Sequence, residues 1–349
     1  MENRRVRIAD IAEELGLSTA TVSNVIHGKT KKISDETVKR VQQLLEERQY
    51  IPSMAGILLA QNDSRIIGVV INNHEKYEGH VLEDPFVASS LNYLSAEIEH
   101  AGYFMMVKTT TEINDIVKFA SMWNLEGMVI IGFCEQDYKK LRASMHIPFI
   151  VYDGYFECRG AACGHTLSDT GRICNLVIDN FDGGLQMGQY FKALGHEKVL
   201  CISDNHICVD LERYQGFQKG FGSENTDFWE IPMQKEKRHA FYQERMEEIR
   251  NYTAVFAVSD YYAIDLMQLL MEQGIRVPED ISIAGFDDTP ICKQIVPSLT
   301  SIQQNGAERA KAAIAALAVL KKGEQEGFTK RLPVTLIKRK STAKYIKRD

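Results

Sequence analysis

The sequence predicts a small all-α headpiece followed by an α/β core of two doubly wound parallel-sheet lobes. Short apolar stripes with helical spacing occupy residues 1–49. From Ile66 onward, short apolar runs alternate with amphipathic segments, a pattern typical of buried parallel strands flanked by helices. The length of 349 residues exceeds one ordinary domain and accommodates two lobes and an appendage.

The composition is that of a globular protein in a reducing compartment. The chain is 44% hydrophobic and 25% charged, and no apolar run approaches the roughly 18 residues that a membrane span needs. The charged N-terminus lacks the apolar region of a secretory signal, so we expect a cytoplasmic protein. Seven cysteines without a CxxC pair are typical of free thiols.

The charge is unevenly distributed along the chain. Residues 1–63 hold nine basic and nine acidic residues, so the rest of the chain carries the whole net charge of -6. Two basic clusters bracket one short apolar segment of the headpiece: Arg4, Arg5 and Arg7, and then Lys29, Lys31 and Lys32. A neutral appendage with local basic clusters can contact phosphates, whereas an acidic body would not wrap DNA.

Three short helices are predicted within the headpiece. The first has an apolar stripe from Ile8 to Leu15 and ends at Gly16. Ser18 is expected to cap the second helix through its hydroxyl, and the third helix starts at Ser34. Two short helices joined by a tight turn and followed by a third form a helix-turn-helix, which sets one helix into the major groove of DNA.

The outward face of the second helix is suited to reading DNA bases. It carries small and polar side chains: Thr19, Ala20, Ser23, Asn24 and His27. Asn can pair with adenine, and Thr or Ala can contact the thymine methyl group. A three-helix module that binds another protein through a solvated polar face is the alternative interpretation.

This part of the chain resembles the headpiece of the LacI/GalR family of bacterial repressors. The resemblance lies in ATVSNVIHG, ISDET and YIP, which begin at Ala20, Ile33 and Tyr50. It implies that Thr19, Ala20 and Asn24 read bases. It also implies that Thr21, Ser23 and Tyr50 contact the phosphate backbone. We assign three further residues to the same DNA-binding surface: Arg7, Ser18 and His27.

Residues 50–63 match the hinge of that family. The resemblance implies a short helix that folds on DNA and inserts a leucine into the minor groove, and Leu59 matches that leucine. Gly56 and Ile57 stand where Ala and Arg are usual, so we expect this hinge to fold less readily. A flexible apolar linker is the alternative.

The core, residues 64–349, contains eight apolar runs that predict strands. They are IIGVVI, FMMV, MVIIG, PFIVYD, NLVIDN, KVLCISD, AVFAVSD and ISIAGFDD. Helical segments such as 87–101, 183–194 and 261–273 lie between them. Two successive sets of four predict two lobes, one formed by 64–172 with 303–330 and the other by 173–302 with 331–349.

Polar residues end several of the predicted strands, where open parallel sheets bind ligands. These residues are Asn72, Asp153, Asp204, Ser259, Asp260, Asp287 and Asp288. Carboxylates that face one cleft cost desolvation unless a hydroxyl-rich or cationic ligand satisfies them. Helix capping is the alternative, which we expect most at Asp260 and Asp288. Arg213 is a forked donor for a ligand oxygen, and Phe86 or Tyr152 is a stacking surface.

The core also resembles the periplasmic-binding-protein-like sensor of the LacI/GalR family. LERYQGFQKGF, GIRVPEDISIAGFDDTP and LPVTLIKRKST carry the resemblance. It implies effector contacts at Asp153, Arg213, Ser259 and Asp287, to which we add Asn72 and Phe86. Such sensors mostly bind sugars, and occasionally nucleobases or phosphorylated sugars. The excess of acids at the strand ends favours a neutral polyol.

Two long segments depart from the family pattern. Residues 73–84 are expected to lie over the cleft mouth. Residues 154–174 contain Cys158, Cys163, His165 and Cys174, whose spacing fits no common zinc signature. We therefore expect free thiols in a solvated loop and no metal. We likewise expect His74 and His80 to lie in a solvated loop and to bind no metal.

These features together predict a repressor of carbohydrate-utilisation genes. It would bind a near-palindromic operator as a homodimer, with DNA affinity controlled by a sugar between the lobes. An enzyme is the first alternative, but GxGxxG, P-loop, HExxH and GxSxG motifs are missing from the sequence, and we expect no cofactor. A transport binding protein would need a signal peptide and no headpiece. Because the chain ends soon after LPVTLIKRK, we expect no tetramerising coil.

Overall fold

The structure is a computed structural model that describes residues 6–50, 64–133, 135–154, 171–325 and 327–347. It divides into two compact units, Met1–Ser64 and Arg65–Asp349, which correspond to the predicted headpiece and core. Within the described residues, no helix is both long enough and apolar enough to span a membrane.

The headpiece contains three helices, α1 (Ile8–Leu15), α2 (Thr19–Ile26) and α3 (Asp35–Glu47). Gly16 adopts a left-handed conformation (φ 65°) that ends α1, which favours glycine because it lacks a Cβ atom. The predicted cap at Ser18 is confirmed, since its Oγ accepts a hydrogen bond from the N–H of Thr21 (3.1 Å). Ser34, where the third helix was predicted to start, caps α3 in the same way by accepting from the N–H of Thr37 (3.3 Å).

The headpiece has a small hydrophobic core of its own, to which all three helices contribute. Its buried members are Ile11, Ala12, Val22, Val25, Val41 and Leu44. Arg48 follows α3 and donates to both carboxylate oxygens of Glu14 on α1, at 3.1 and 2.8 Å. The apolar faces therefore point inward and leave the polar face of α2 to solvent.

The first lobe is a six-stranded sheet with the order β11-β5-β4-β3-β1-β2, and all its pairings are parallel. Its strands are β1 (Ile66–Asn72), β2 (Phe104–Thr110), β3 (Gly127–Ile131), β4 (Phe149–Tyr152), β5 (Ile173–Ile178) and β11 (Phe328–Leu332). Its helices are α4 (Pro85–His100), α5 (Ile113–Met122), α6 (Glu135–Ser144) and α12 (Gly306–Lys322). The inner strands β1, β3, β4 and β5 are largely buried because helices cover the sheet on both sides, whereas the edge strands β2 and β11 are partly exposed.

The second lobe is a six-stranded sheet with the order β12-β10-β9-β8-β6-β7. Its strands are β6 (Val199–Ser203), β7 (Thr226–Glu230), β8 (Ala254–Ala257), β9 (Ser282–Asp287), β10 (Thr300–Gln304) and β12 (Val334–Ile337). Its helices are α7 (Asn180–Ala193), α8 (Cys208–Phe221), α9 (Lys235–Glu244), α10 (Met246–Ile249) and α11 (Asp260–Glu272). All pairings are parallel except that of β12 with β10.

The predicted lobe boundary after residue 172 is wrong for β5. This strand, which we expected to open the second lobe, pairs with β4 and β11 in the first sheet. The chain passes between the lobes after β5, after β10 and between β11 and β12. A buried parallel strand is apolar in either sheet, so its sequence does not reveal which sheet it joins.

Helices α7 and α8 pack closely enough that their backbones touch. A Cβ atom at Gly184 would overlap the backbone oxygen of Arg213, and one at Gly216 would overlap that of Phe181. Gly188 and Gly220 repeat the contact one turn further along. Because backbone meets backbone, neither helix can accommodate a side chain by a rotamer change.

We expect Gly216→Ala to lower the free energy of unfolding of the core by about 3 kcal/mol or more, because the helices must separate. Gln189→Ala on the exposed face of α7 is the control, with an expected change within about 0.5 kcal/mol. Urea unfolding followed by circular dichroism measures both. Equal stability of the two variants would show that the close crossing does not constrain the lobe.

Candidate ligand cleft and DNA-contacting surface

The predicted base-reading residues lie on the solvent face of α2. Thr19, Ala20 and Asn24 are exposed, whereas Val22 and Val25 on the opposite side are buried. The helix thus presents a short surface of small side chains, an amide and a hydroxyl. This surface has the chemistry that major-groove readout requires.

Several other residues assigned to the DNA-binding surface are less exposed than these three. Thr21 and Ser23, predicted to contact phosphates, are half-buried, as is His27, and the Thr21 hydroxyl lies 2.9 Å from that of Ser18. Tyr50 is also half-buried and packs against the headpiece core. Leu59 and the hinge segment 51–63 lie outside the described residues.

Basic side chains flank α2 at one end. Lys29, Lys31 and Lys32 are exposed in the turn that follows the helix, and Gly28 adopts a left-handed conformation (φ 68°) there. Arg7 lies at the start of α1, where its N–H donates to Asp10 (2.8 Å) and its guanidinium remains exposed. Cations in such positions can pair with phosphates beside a groove.

A cavity of about 300 Å³ lies between the two lobes of the core. Its walls come from the first turns of α4, the end of β4, the segment after β9, and the crossover from β10 into α12. Lining residues include Phe86, Ser89, Tyr152, Asp287, Gln304 and Arg309. Of the six predicted effector residues, Phe86 and Asp287 therefore line the cavity directly.

A chain of hydrogen bonds connects two predicted effector residues across the lobes. Asp153 follows β4 in the first lobe and forms an ion pair with Arg309 Nη2 (2.7 Å). Arg309 Nη1 donates to Gln304 Oε1 (2.6 Å), and Gln304 Nε2 donates to Asp287 Oδ1 (2.5 Å) in the second lobe. We call this chain, Asp153–Arg309–Gln304–Asp287, the interlobe relay.

Arg309 is the most buried member of the interlobe relay, with 2% of its surface exposed. Its guanidinium stacks on the ring of Tyr152 at 4.1 Å from the centroid. Its Nε atom is buried and has no hydrogen-bond partner among the described residues. The guanidinium therefore lies beside the cavity with one donor unsatisfied, although that atom is closed off from solvent.

Asp287 combines unusual backbone geometry with a perturbed carboxyl. Its φ of 111° is rare for a residue with a side chain, and such backbone strain occurs often at functional sites. Burial raises the pKa of Asp287 well above its ordinary value, although Arg213 opposes the shift and Asp260 adds to it. A ligand that donates a hydrogen bond would stabilise the charged form of this carboxylate.

Arg213 lies behind Asp287, where α7 and α8 cross. Its Nε donates to Asn180 (2.8 Å) and its Nη1 to the carbonyl of Val258 (2.6 Å). The guanidinium also stacks on Phe286, 3.8 Å from the ring centroid. Protein groups thus fix the orientation of the predicted forked donor.

Ser259 and Asn72 are not among the residues that line the cavity. Ser259 caps α11, because its Oγ accepts a hydrogen bond from the N–H of Tyr262 (3.4 Å). Asn72 ends β1, and its Nδ2 donates to the carbonyl of Gly132 (2.8 Å). Both lie at strand ends as predicted, but each side chain forms a hydrogen bond with a backbone group of the protein.

The prediction that Asp260 and Asp288 cap helices is wrong. Asp260 accepts hydrogen bonds from Thr289 N–H (2.8 Å) and Ser301 Oγ (2.6 Å), so it ties α11 to the segments after β9 and within β10. Burial raises the pKa of Asp260 to about 6, an effect that these hydrogen bonds oppose. Asp288 forms an ion pair with Arg339 (2.6 Å).

The expectation of a solvated thiol loop is wrong for Cys174. This residue lies in β5 and is fully buried, and burial raises the pKa of its thiol to about 12. Cys158, Cys163 and His165 lie outside the described residues. Within the described part of the chain, no group of three or more His, Cys, Asp or Glu side chains is placed to hold a metal ion.

Sequence reasoning missed Arg309 and Gln304. One signal for Arg309 was available, because it is a cation in the alanine-rich and largely apolar run AERAKAAIAALAVL. A charged residue on the buried face of such a helix needs a charged partner. For Gln304, no local pattern distinguishes a relay residue from an ordinary strand end.

Both parts of the chain match known protein families. Residues 7–53 match the family described as bacterial regulatory proteins, lacI family, and residues 189–342 match the periplasmic binding protein-like domain. The HTH-type transcriptional repressor PurR of Mannheimia succiniciproducens is 27% identical over 320 residues, covering 88% of this chain and 89% of that protein. The transcriptional regulator MalR of Clostridium butyricum is 23% identical, covering 88% and 91%.

The fold is also that of solved structures. A Lac repressor dimer bound to operator and the anti-inducer ONPF superposes with a TM-score of 0.79 at 22% identity, covering 97% of this chain and all of that one. A LacI family regulator from Enterococcus faecium with bound ribose gives a TM-score of 0.67 at 22% identity, covering 80% of this chain and all of that one.

A helix-turn-helix headpiece joined to a two-lobed binding core defines a DNA-binding transcriptional regulator with a ligand-binding sensor. The chain thus combines a helix-turn-helix domain of the lacI family with a periplasmic-binding-protein-like domain. Its relatives are transcriptional regulators, which implies a regulatory rather than an enzymatic role.

We expect Arg309→Leu to lower the free energy of unfolding of the core by about 3 kcal/mol, because the half-buried Asp153 carboxylate would lose its cationic partner. Adding Asp153→Asn should recover part of that loss. The control is Arg331→Leu, which removes an exposed cation 3.7 Å from Asp179 and should change stability by less than about 1 kcal/mol. Urea unfolding measures all three. No recovery in the double variant would contradict a direct charge pair.

Proposed function

We propose that this chain is a repressor of carbohydrate-utilisation genes that binds a near-palindromic operator as a homodimer. A neutral sugar bound between the two lobes of the core sets its affinity for DNA. The observation that carries the sugar assignment is the interlobe relay, which presents an alternating set of donors and acceptors at the edge of an aromatic-walled cavity.

On the DNA side, α2 is the recognition helix. Thr19, Ala20 and Asn24 read bases, because they are exposed together on one face and carry no bulky side chain that would hold the helix out of the groove. The exposed lysines of the following turn contact phosphates and position the helix without reading sequence.

A homodimer is supported by an exposed apolar surface on the first lobe. Phe104 and Val107 on the edge strand β2 are exposed, as are Met122 and Trp123 at the end of α5. An edge strand with exposed apolar side chains favours association with another chain. Two headpieces on one dimer match the two halves of a near-palindromic site.

The cavity chemistry favours a ligand with hydroxyl groups. A hydroxyl both accepts and donates, so neighbouring hydroxyls can match a cavity lined by a cationic donor, Arg309, and an acidic acceptor, Asp287. The rings of Phe86 and Tyr152 provide flat apolar surfaces for the C–H face of a sugar ring. The cavity is lined by two acids, Asp287 and Asp288, and two cations, Lys293 and Arg309, so its charges balance and a neutral ligand fits it.

A purine base is the second candidate effector. Its flat ring would stack on Phe86 or Tyr152, and a ring nitrogen could accept from Arg309. Several curated relatives carry the name PurR, and the family resemblance includes sensors of nucleobases. A purine offers fewer donors than a sugar for the carboxylates of the cleft, which places it second.

Effector control of DNA affinity follows from the course of the interlobe relay. The relay spans both lobes and includes Gln304, which ends β10 at one of the crossovers. A ligand that binds Arg309 and Asp287 binds both lobes at once and therefore favours one relative arrangement of them. Coupling of this kind commonly amounts to about 1–3 kcal/mol.

We expect Asn24→Ala to change sequence preference by about 1–3 kcal/mol at one base pair in each half-site, because one base contact is lost. Selection from randomised inverted repeats, followed by competition binding, measures the change.

The control for this experiment is Lys29→Ala. It should weaken binding to all sequences alike. It should also reduce the slope of log affinity against log salt concentration by about one, since one phosphate contact is lost. If Asn24→Ala also weakened binding uniformly, Asn24 would contact only the backbone and the base-reading assignment would be wrong.

A thermal-shift screen of neutral sugars, sugar phosphates and purines should identify a neutral sugar that raises the melting temperature, since ligand binding stabilises the folded state. Asp287→Asn should remove that shift and the effect of the sugar on operator binding, while operator affinity without sugar is retained. Stabilisation by purines and not by sugars would contradict the sugar assignment and support the second candidate.

A further inference from the structure

Two consecutive residues with left-handed backbone lie at the end of β9. Asp287 has a φ of 111° and Asp288 a φ of 53°, values that are rare for residues with side chains. The Asp287 carboxylate lines the cavity and accepts a hydrogen bond from Gln304, so its direction matters for a ligand. Strained backbone of this kind persists only where the surrounding structure fixes it. The contacts that fix this turn therefore help to set the geometry of the cavity.

The amides of the turn donate to side chains of two other elements. The Asp288 N–H donates to Ser301 Oγ on β10 (3.0 Å), and the Thr289 N–H donates to Asp260 Oδ2 at the start of α11 (2.8 Å). Ser301 Oγ in turn donates to Asp260 Oδ1 (2.6 Å), and Thr289 Oγ1 donates to Asp260 Oδ2 (2.9 Å). We call these three residues, Asp260, Thr289 and Ser301, the turn anchor.

Asp260 is the centre of the turn anchor and lies in a position that is unfavourable for a carboxylate. The residue is 1% exposed, and the groups that donate to it from Thr289 and Ser301 are neutral. Burying a carboxylate costs desolvation that neutral donors offset only in part. Gly285 of β9 makes room for this acid, because a Cβ atom there would lie 2.5 Å from Asp260 Oδ1. A glycine inside a buried strand thus allows an acceptor to lie directly behind the turn.

The side chain of Asp288 gives the turn a further restraint. Its Oδ1 forms an ion pair with Arg339 Nη2 (2.6 Å), and its Oδ2 accepts from Gln303 Nε2 (2.9 Å). Arg339 is itself held in place, because its Nη1 donates to the carbonyl of Leu299 (2.7 Å). Both the backbone and the side chain of the turn are therefore fixed by residues distant in sequence.

We propose that Asp260 and Ser301 are positioning residues of the effector site, which act through the turn to direct the Asp287 carboxylate into the cavity. This inference rests on the proposed role of Asp287 as an effector contact. Neither Asp260 nor Ser301 is among the residues that line the cavity. A turn that relaxed to ordinary backbone angles would carry the Asp287 carboxylate away from Gln304. Ligand affinity then depends on two side chains that the ligand does not touch.

Ser301→Ala in the full-length chain, without ligand or DNA, tests the positioning role. It removes the acceptor of the Asp288 N–H, so we expect hydrogen exchange of peptides spanning 286–291 to accelerate about tenfold while peptides of β6 keep the wild-type rate. Carbon-13 NMR of labelled aspartate, assigned with Asp287→Asn, follows the titration of the Asp287 carboxyl. Burial raises the pKa of Asp287. Release of the carboxylate toward solvent should therefore lower its titration midpoint by about one pH unit.

Ser282→Ala is the matched control. Ser282 is buried at the opposite end of β9, where its Oγ accepts from the N–H of Ala343 (3.1 Å). Its replacement should accelerate exchange around residue 343 and leave both the turn and the Asp287 titration unchanged. Thr289→Val, which removes one donor to Asp260, should accelerate exchange of the turn about two- to fivefold. Thr289→Ser retains both donors and should restore the wild-type rate.

An unchanged Asp287 titration in Ser301→Ala would overturn the proposal, since the serine would then only stabilise the lobe. Equal acceleration of the turn and of β6 would have the same meaning. If Ser301→Ala does not fold, the comparison of Thr289→Val with Thr289→Ser decides instead, and equal rates in these two variants overturn the proposal. Because no measurement here uses a ligand, a failure to find a sugar effector would contradict the proposed function without affecting the result for the turn anchor.

Discussion

The sensor core depends on one buried charge, the Arg309 guanidinium. Arg309 is almost fully enclosed, so its desolvation must be offset by the Asp153 carboxylate, the Gln304 amide oxygen and the face of Tyr152. Those partners come from both lobes and from a crossover between them. Satisfying this one side chain therefore fixes the relative position of the elements that line the cavity.

Close packing of α7 against α8 likewise fixes the position of residues in the second lobe. Glycines let α7 and α8 touch, and Arg213 extends from that crossing to its partners Asn180 and Val258. These two protein acceptors fix the orientation of the Arg213 guanidinium next to the strand that ends at Asp287. The core thus combines a fixed arginine in the second lobe with a relay that spans both lobes.

Local signals in the sequence were sufficient to predict the helices of the headpiece and most strands of the core. The cap at Ser18, the end of α1 at Gly16 and the start of α3 at Ser34 depend on short-range features, and all three are present as predicted. The lobe assignment of β5 and the role of Arg309 depend on residues distant in sequence, which periodicity does not report. The prediction that Asp260 caps a helix was wrong for a related reason, because its partners Thr289 and Ser301 lie 29 and 41 positions away.

We propose that the cleft ligand and the operator are coupled through the two lobes. Thermodynamic reciprocity requires that the ligand change operator affinity by the same factor by which the operator changes ligand affinity. Titration calorimetry of sugar with and without operator, and of operator with and without sugar, measures this factor from both sides. We expect a factor well away from one in the wild type and a factor near one in Gln304→Leu, whose relay is broken. Undiminished coupling in Gln304→Leu would contradict coupling through the relay.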